Sequence, residues 1–305
     1  MANSAAISFK QLRALIAVTD CGSITQAAQL LGLTPPAVHT QLRLLEQNFD
    51  CKLLDRSGAS PKLTLQGQTV LEAARAIDST LGSCAQHVRA LNEGKEGQVV
   101  LGVVSTGKYF APGLVARLQK AFPRIEVVMK VGNRDLVLGW LQNRALDLAI
   151  MGRPPRMPPV VSVPLGQHPH VMIAPPEHRL AQMAEVPTDD LLDETILSRE
   201  EGSGTRILMA RYLDRVGQGR PYKTVELGSN ETIKQAVMAG LGLALISRHT
   251  VTDELAAGRL VELPVAGLPL VRQWFLLHHE DMPLTQAGRT VHDFIAAQNG
   301  SFLPA

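Results

Sequence analysis

The sequence predicts an N-terminal all-α winged helix-turn-helix, one long linker helix, and a C-terminal α/β domain of two lobes. Three patterns carry the prediction. Three short helices occupy residues 8–49, the last with one apolar and one polar face. A proline-free heptad repeat runs over 66–92. From Val99 onward, apolar strands alternate with helices. The corresponding domains are 1–65, 66–92 and 93–305.

Bulk properties narrow the class. A chain of 305 residues suits more than one domain, and 45% hydrophobic with 19% charged residues is a globular composition. No run of about 18 apolar residues exists, and Met1 to Lys10 lack a basic-then-apolar leader pattern. Cys21, Cys51 and Cys84 are scattered and make neither a disulfide framework nor a metal set. The expectation is a cytoplasmic protein away from membranes. Net charge is only +2, spread evenly: residues 1–97 hold 9 Lys/Arg against 8 Asp/Glu, and the remainder 21 against 20. A grip on nucleic acid must therefore come from a local arrangement of donors.

The first helix is read from Phe9, Leu12, Leu15, Ile16 and Thr19 at helical spacing, and Cys21-Gly22 ends it. Ser23 is the expected cap of the second, which turns Ile24, Ala27, Ala28 and Leu31 inward and stops at Gly32. Thr34 caps the third, with Pro35 at its first position. Val38, Leu42, Leu45 and Phe49 form its apolar face; Pro36, His39, Thr40, Arg43 and Gln47 form the opposite one. Two short helices joined by a glycine turn, the second with an outward polar face, describe a helix-turn-helix, whose second helix fits the DNA major groove. Leu53 to Arg56 and Lys62 to Leu65 flank a polar turn and read as a hairpin wing, with Arg56 and Lys62 placed to meet the DNA backbone.

Val70, Ala74, Ile77, Leu81, Cys84, Val88 and Leu91 alternate spacings of four and three, a heptad seam. A lone helix would leave that seam in water, so pairing with a second copy is expected.

After the linker Glu93 to Gly97, strands are read at 99–104, 125–131, 146–151, 169–174, 195–198, 223–227, 243–246 and 271–277. Helices lie between them, and a last one covers about 285–298. Ligands of open α/β sheets sit beyond the carboxyl ends of strands, and polar residues cluster there: Ser105 and Thr106; Asn133 and Arg134; Arg153; Arg199, then Gly202, Ser203, Gly204, Thr205 and Arg206; Ser229 and Asn230. The Gly202–Thr205 segment offers backbone N–H groups to an anion. The four arginines 134, 153, 199 and 206 suit phosphate or several carboxylates. His168 and His170 share one strand face, but with His178 they make no set at metal-ligand spacing, so no metal is expected. His278 to Asp281 read as a solvated strand end.

Several blocks together resemble the LysR-type transcriptional regulators: Phe9 to Arg13, Gly22 to Ala28, Leu33 to Val38, Leu45-Glu46, Leu53 to Arg56 and Leu63 to Gly67, in matching order and spacing. The resemblance implies that Thr25 and Gln26 lie near phosphates and that Pro35, Pro36, His39, Thr40 and Arg43 face the groove. It also implies a periplasmic-binding-protein-like C-terminal domain, with lobe I at about 97–166 and 270–300 and lobe II at about 167–269. Paired linker helices, a tetramer and contact with RNA polymerase are the further partners expected. Val104 to Phe110, Met151 to Pro155 and Arg199 to Arg206 resemble the CbbR branch, which controls Calvin-cycle (RuBisCO operon) genes. That branch implies no cofactor but a small anionic effector such as a sugar phosphate, phosphoenolpyruvate or NADPH. The competing assignment is an enzyme acting on a phosphorylated substrate, fused to a DNA-binding domain. It needs a base or metal in the cleft, and none stands out.

Overall fold

The computed structural model describes residues 6–55, 60–92 and 96–304, of which 87 and 90–92 by backbone alone. The chain divides into two compact units, Met1–Val88 with Asn143–Ala145, and Arg89–Gln142 with Leu146–Ala305.

The first unit holds α1 (Phe9–Cys21), α2 (Ile24–Leu31), α3 (Pro35–Phe49), the antiparallel pair β1 (Leu54–Asp55) and β2 (Lys62–Leu63), and most of α4 (Leu65–Asn92). Ser8 and Gln11 form a capping box on α1, and Thr34 Oγ1 accepts from Ala37 N at 3.4 Å on α3. Ser23 stands at the start of α2 but makes none of the side-chain cap bonds expected of it. Leu12, Leu15 and Val18 meet Ala27, Ala28, Val38, Leu42 and Leu45 in one core. The two alanines are small enough to let the helices approach closely.

The wing and α4 are fastened to this core by specific polar groups. Glu46 is buried, and its Oε1 accepts from Leu53 N (3.1 Å) and Leu54 N (3.4 Å). Thr64 Oγ1 donates to Lys52 O at 2.8 Å and accepts from Gly67 N at 3.0 Å. Gly67 is required by contact: a Cβ there would fall 2.0 Å from the Leu53 carbonyl oxygen. Arg75 pairs with Asp20 and Arg13 with Asp78, tying α4 to α1.

The predicted seam splits in two. Val70 and Ala74 are buried in the helical core, together with Leu71. Ile77, Leu81 and Val88 are 44%, 49% and 50% exposed, and Cys84 is exposed. The side chain of Leu91 lies outside the described residues, as do Glu93, Gly94 and Lys95 of the expected linker.

The second unit is built on a seven-stranded sheet. It begins with β3 (Gly97–Val104), a 3₁₀ turn (Ser105–Tyr109), α5 (Ala111–Ala121), β4 (Ile125–Gly132), α6 (Arg134–Gln142) and β5 (Leu148–Met151). The long β6 (Val160–Ala174) follows, then α7 (Thr188–Leu192), β7 (Thr195–Arg199), α8 (Gly204–Gly217), β8 (Lys223–Leu227), α9 (Asn230–Met238), β9 (Ala244–Ser247), α10 (Thr252–Ala256), β10 (Val261–Glu262), β11 (Leu270–His279) and α11 (Gln286–Ala297). Strands β4, β3 and β5 are parallel, and β11 returns antiparallel to β5 and β6. The separate parallel pair β7–β8 joins the second lobe through Ile196 and Leu243.

Each lobe packs apolar clusters on both faces of its strands. In lobe I, Val99, Leu101 and Val103 pack with Leu114, Trp274 and Val291, while Val100 faces Val137, Leu141 and Met151. In lobe II, Met172 and Ala174 pack with Tyr212 and Leu213, while Val171 and Ile173 pack with Val237 and Ile246. Burial on both faces is why these strands read as apolar runs, parallel at β3 in lobe I and antiparallel where β6 meets β9 in lobe II.

β6 is longer than the strand read from the sequence at 169–174. Pro164 and Pro169 obscure it, because neither supplies a ladder N–H. The strand continues past Pro164 through a register shift opposite Trp274/Phe275, so β6 and β11 form one ribbon running from lobe I into lobe II.

Candidate functional site

The first candidate surface is the outer face of α3. Burial of Val38, Leu42 and Leu45 turns Pro36, His39, Thr40 and Arg43 to solvent, and all four are exposed together with Thr34 and Pro35. The Thr40 hydroxyl donates to Pro36 O at 3.0 Å, which leaves its oxygen free only as an acceptor. Thr25 and Gln26, in the first turn of α2, are exposed, and so is Lys62 on the wing strand β2. Arg56, with the wing turn 57–59, lies outside the described residues.

The second is a cavity of about 890 Å³ inside the second unit, within the size range of small-molecule sites. Its wall comes from the carboxyl ends of β3, β4, β5 and β7, the start of α8, and the β6–β11 ribbon. Of the ten residues proposed from sequence, Ser105, Thr106, Arg134, Arg153, Arg199, Ser203, Gly204 and Thr205 line it.

Gly202 and Asn230 do not line it. Gly202 has φ +80, and a Cβ there would sit 2.9 Å from Asp135 Oδ2. Its carbonyl accepts from Asp135 N at 3.2 Å, so it makes a tight turn and a contact to the other lobe. Asn230 is buried behind the wall. Its Oδ1 accepts from Arg199 Nη1, and its Nδ2 donates to Thr106 Oγ1 at 3.4 Å. Arg206, grouped with the cleft arginines from sequence, instead pairs with Glu226.

Arg199 is 3% exposed and already engaged. Beyond Asn230, its Nε and Nη2 lie 2.6 and 2.7 Å from the two Glu200 oxygens. Burial alone would push the Glu200 carboxyl up, but the hydrogen bonds and charge of Arg199 outweigh it and the pKa is lowered. Arg134 donates to Arg153 O at 2.8 Å. Burial, then the Arg153 charge, lowers its pKa.

Sequence reasoning missed Arg156, Arg211 and Arg272. Arg211 lies one helical turn beyond the lining residue Ile207, so its placement was readable once α8 was known to border the site. Arg272 comes from the returning strand β11, and no local pattern announces it. Among the described residues, Arg153, Arg156, Arg211 and Arg272 make no ion pair, and the lining contains no carboxylate side chain.

His168 and His170 also line the cavity. The His168 ring stacks on Trp274 with centroids 3.9 Å apart, and its Nε2 lies 3.0 Å from Ser247 Oγ. Burial, then the neighbouring histidines, holds its pKa well below the ordinary value, and burial lowers that of His170 to about 4. Both rings are thus neutral near pH 7, and the wall owes its positive charge to arginine. His178 stands apart, with Nδ1 accepting from Leu180 N. His279 is buried rather than solvated, and its Nδ1 accepts from Asp281 N.

Residues 9–68 match the model of the bacterial regulatory helix-turn-helix proteins of the lysR family, and residues 92–300 match the LysR substrate binding domain. The chain is 53% identical to the HTH-type transcriptional regulator CbbR of Cereibacter sphaeroides, over 98% of this chain and 97% of that protein. It is 37% identical to the RuBisCO operon transcriptional regulator of Allochromatium vinosum, over 96% of each. The second unit resembles the Synechocystis PCC6803 CcmR regulatory domain in complex with 2-PG. The match has a TM-score of 0.63 and 33% identity, and covers 66% of this chain and 97% of that one. Relatives of this kind are transcription regulators rather than enzymes. The chain belongs to the LysR family of bacterial regulatory helix-turn-helix proteins, in the branch that holds the CbbR regulators.

Proposed function

We propose that the chain controls carbon-fixation genes by sequence-specific DNA binding, in response to a small phosphorylated metabolite held in the arginine-lined cavity. In this reading residues 1–65 grip DNA, 66–92 pair two copies, and 93–305 take up the effector. The observation that carries it is charge. Six arginines line one cavity with no carboxylate side chain in its wall, and such a wall favours an anion with several oxygens. The 2-PG bound by the CcmR domain supports a phosphorylated ligand. A sugar phosphate, phosphoenolpyruvate and NADPH remain the candidates to test beside it.

In the first unit, Thr25, Gln26, Thr34, Lys62 and Arg56 would hold the DNA backbone, while Pro35, Pro36, His39, Thr40 and Arg43 face the groove. The exposed Ile77, Leu81 and Val88 support pairing through α4. A tetramer of two such pairs, contact with RNA polymerase and a cytoplasmic location complete the proposal; no described helix is long and apolar enough to cross a membrane.

A thermal-shift panel of 2-PG, sugar phosphates, phosphoenolpyruvate and NADPH tests the effector. Stabilisation by one of these is expected, and a response only to neutral compounds would overturn the assignment. A mobility-shift assay with the protein's own promoter region tests the DNA half.

A further inference from the structure

Lys234 carries a buried charge that the cavity does not use. It lies on α9, is 5% exposed, and is absent from the cavity wall. Its Nζ is 2.9 Å from Glu254 Oε1 and 3.1 Å from Glu231 Oε2, both in lobe II. Its remaining neighbour comes from lobe I: the centroid of the Tyr109 ring is 4.9 Å away. The Tyr109 hydroxyl also donates to Glu231 Oε2 at 3.3 Å. Lys108 lies 5.2 Å from the same centroid, but it belongs to the turn that carries Tyr109 and cannot tie the lobes together.

Tyr109 closes the 3₁₀ turn that Ser105 opens, and Ser105 and Thr106 line the cavity. Thr106 is in turn held by Asn230, the first residue of α9, which also holds Arg199. Besides the Tyr109–Glu231 hydrogen bond, helix α9 therefore grips this turn of the opposite lobe at two further points. One is the Asn230–Thr106 hydrogen bond. The other is the Lys234 ammonium over the Tyr109 face, one helical turn further on. A buried ammonium needs a full set of partners. Two carboxylates from its own lobe leave one side open, and an aromatic face from the other lobe fills it.

We infer that Lys234 is a positioning residue for the anion cavity, acting through Tyr109. Its charge draws the 105–109 turn onto lobe II and so sets Ser105 and Thr106 opposite Arg199. The inference rests on the reading of this cavity as the effector site.

The test is a thermodynamic cycle on the full-length chain, titrated calorimetrically with 2-PG and separately with inorganic phosphate. Lys234→Met and Tyr109→Leu should each weaken binding by about tenfold, and the double variant should be no weaker than either single one. Lys234→Arg keeps the cation and Tyr109→Phe keeps the ring, so both should stay within about threefold of the wild type. Additive losses, or wild-type affinity in Lys234→Met even where its melting temperature falls, would overturn the inference. Should Lys234→Met not fold, the contrast between Tyr109→Leu and Tyr109→Phe decides it. Should the wild type bind neither probe, 2-PG is excluded as the effector, which is a separate result from the fate of this inference. Amide exchange at residues 105–109 in the ligand-free chain then decides: equal, non-additive acceleration in Lys234→Met and Tyr109→Leu supports the latch, and unchanged exchange refutes it.

Discussion

Six arginine side chains line the cavity, and they stand in different states. Arg199 is enclosed by Glu200 and Asn230 and shapes the wall. Arg134 is bound to the Arg153 carbonyl. Arg153, Arg156, Arg211 and Arg272 lack ion pairs among the described residues, so an incoming anion would meet guanidinium groups whose charge no carboxylate offsets. A charge-assisted hydrogen bond contributes roughly 1.5–3 kcal/mol. Arg153→Ala and Arg272→Ala should therefore each weaken 2-PG binding by roughly 10- to 100-fold in calorimetric titration. Arg206→Ala, which removes a residue paired outside the cavity, should change affinity less than about twofold. Equal losses in all three would show that bulk charge, rather than the wall, attracts the ligand.

The buried histidines give the same unit a pH dependence. Burial lowers both His170 and His249 to about 4. An unfolded histidine takes up its proton near 6.5, so below that pH the unfolded chain binds protons that the folded one refuses. Stability is then fully present above pH 6.5 and lost as the pH falls toward 4. At pH 5 each ring should have withdrawn about 2 kcal/mol. Urea denaturation at pH 7.5 and pH 5 measures this, and His170→Gln should flatten the difference.

Among the elements, α3 and the wing have separable tasks. His39→Ala should alter base preference in a mobility-shift series more than it alters overall grip. Arg56→Ala should weaken binding to all sequences and reduce the slope against log salt by about 1. Two variants that bind like the wild type would place the DNA on another face. The exposed part of α4 makes a third prediction. Leu81→Asp should raise the dissociation constant between copies by about 100-fold, because each partner would lose a buried leucine. Sedimentation velocity across a dilution series would detect it.

For the whole molecule, legibility followed the range of the interactions. The helix-turn-helix was readable because caps, glycine stops and apolar periodicity are local, and Thr34, Gly32 and Val38 act within a turn of their own positions. Eight cavity residues were readable because strand ends are local too. Arg272 was hidden because β11 brings it beside β6 from about a hundred residues away, and Asn230 was misplaced because its role depends on Arg199 and Thr106 together. The heptad pattern showed an apolar seam but could not show that its first part is occupied by the chain's own core. Prolines 164 and 169 hid the ribbon that both lobes share.

The division of α4 has a consequence for geometry on DNA. Val70 and Ala74 lock the helix to the helix-turn-helix head, while in the proposed pairing the exposed Ile77, Leu81 and Val88 meet a second copy. Each residue of an α-helix turns the chain by about 100° and advances it by about 1.5 Å. A single residue inserted between Ala74 and Ile77 would swing the head about 100° around its twin and throw the two readers out of phase. Seven inserted residues would restore the phase to within about 20° and move the heads by about 10 Å. In that pairing, the operator spacing follows from the count of residues between two methyl-lined patches of one helix.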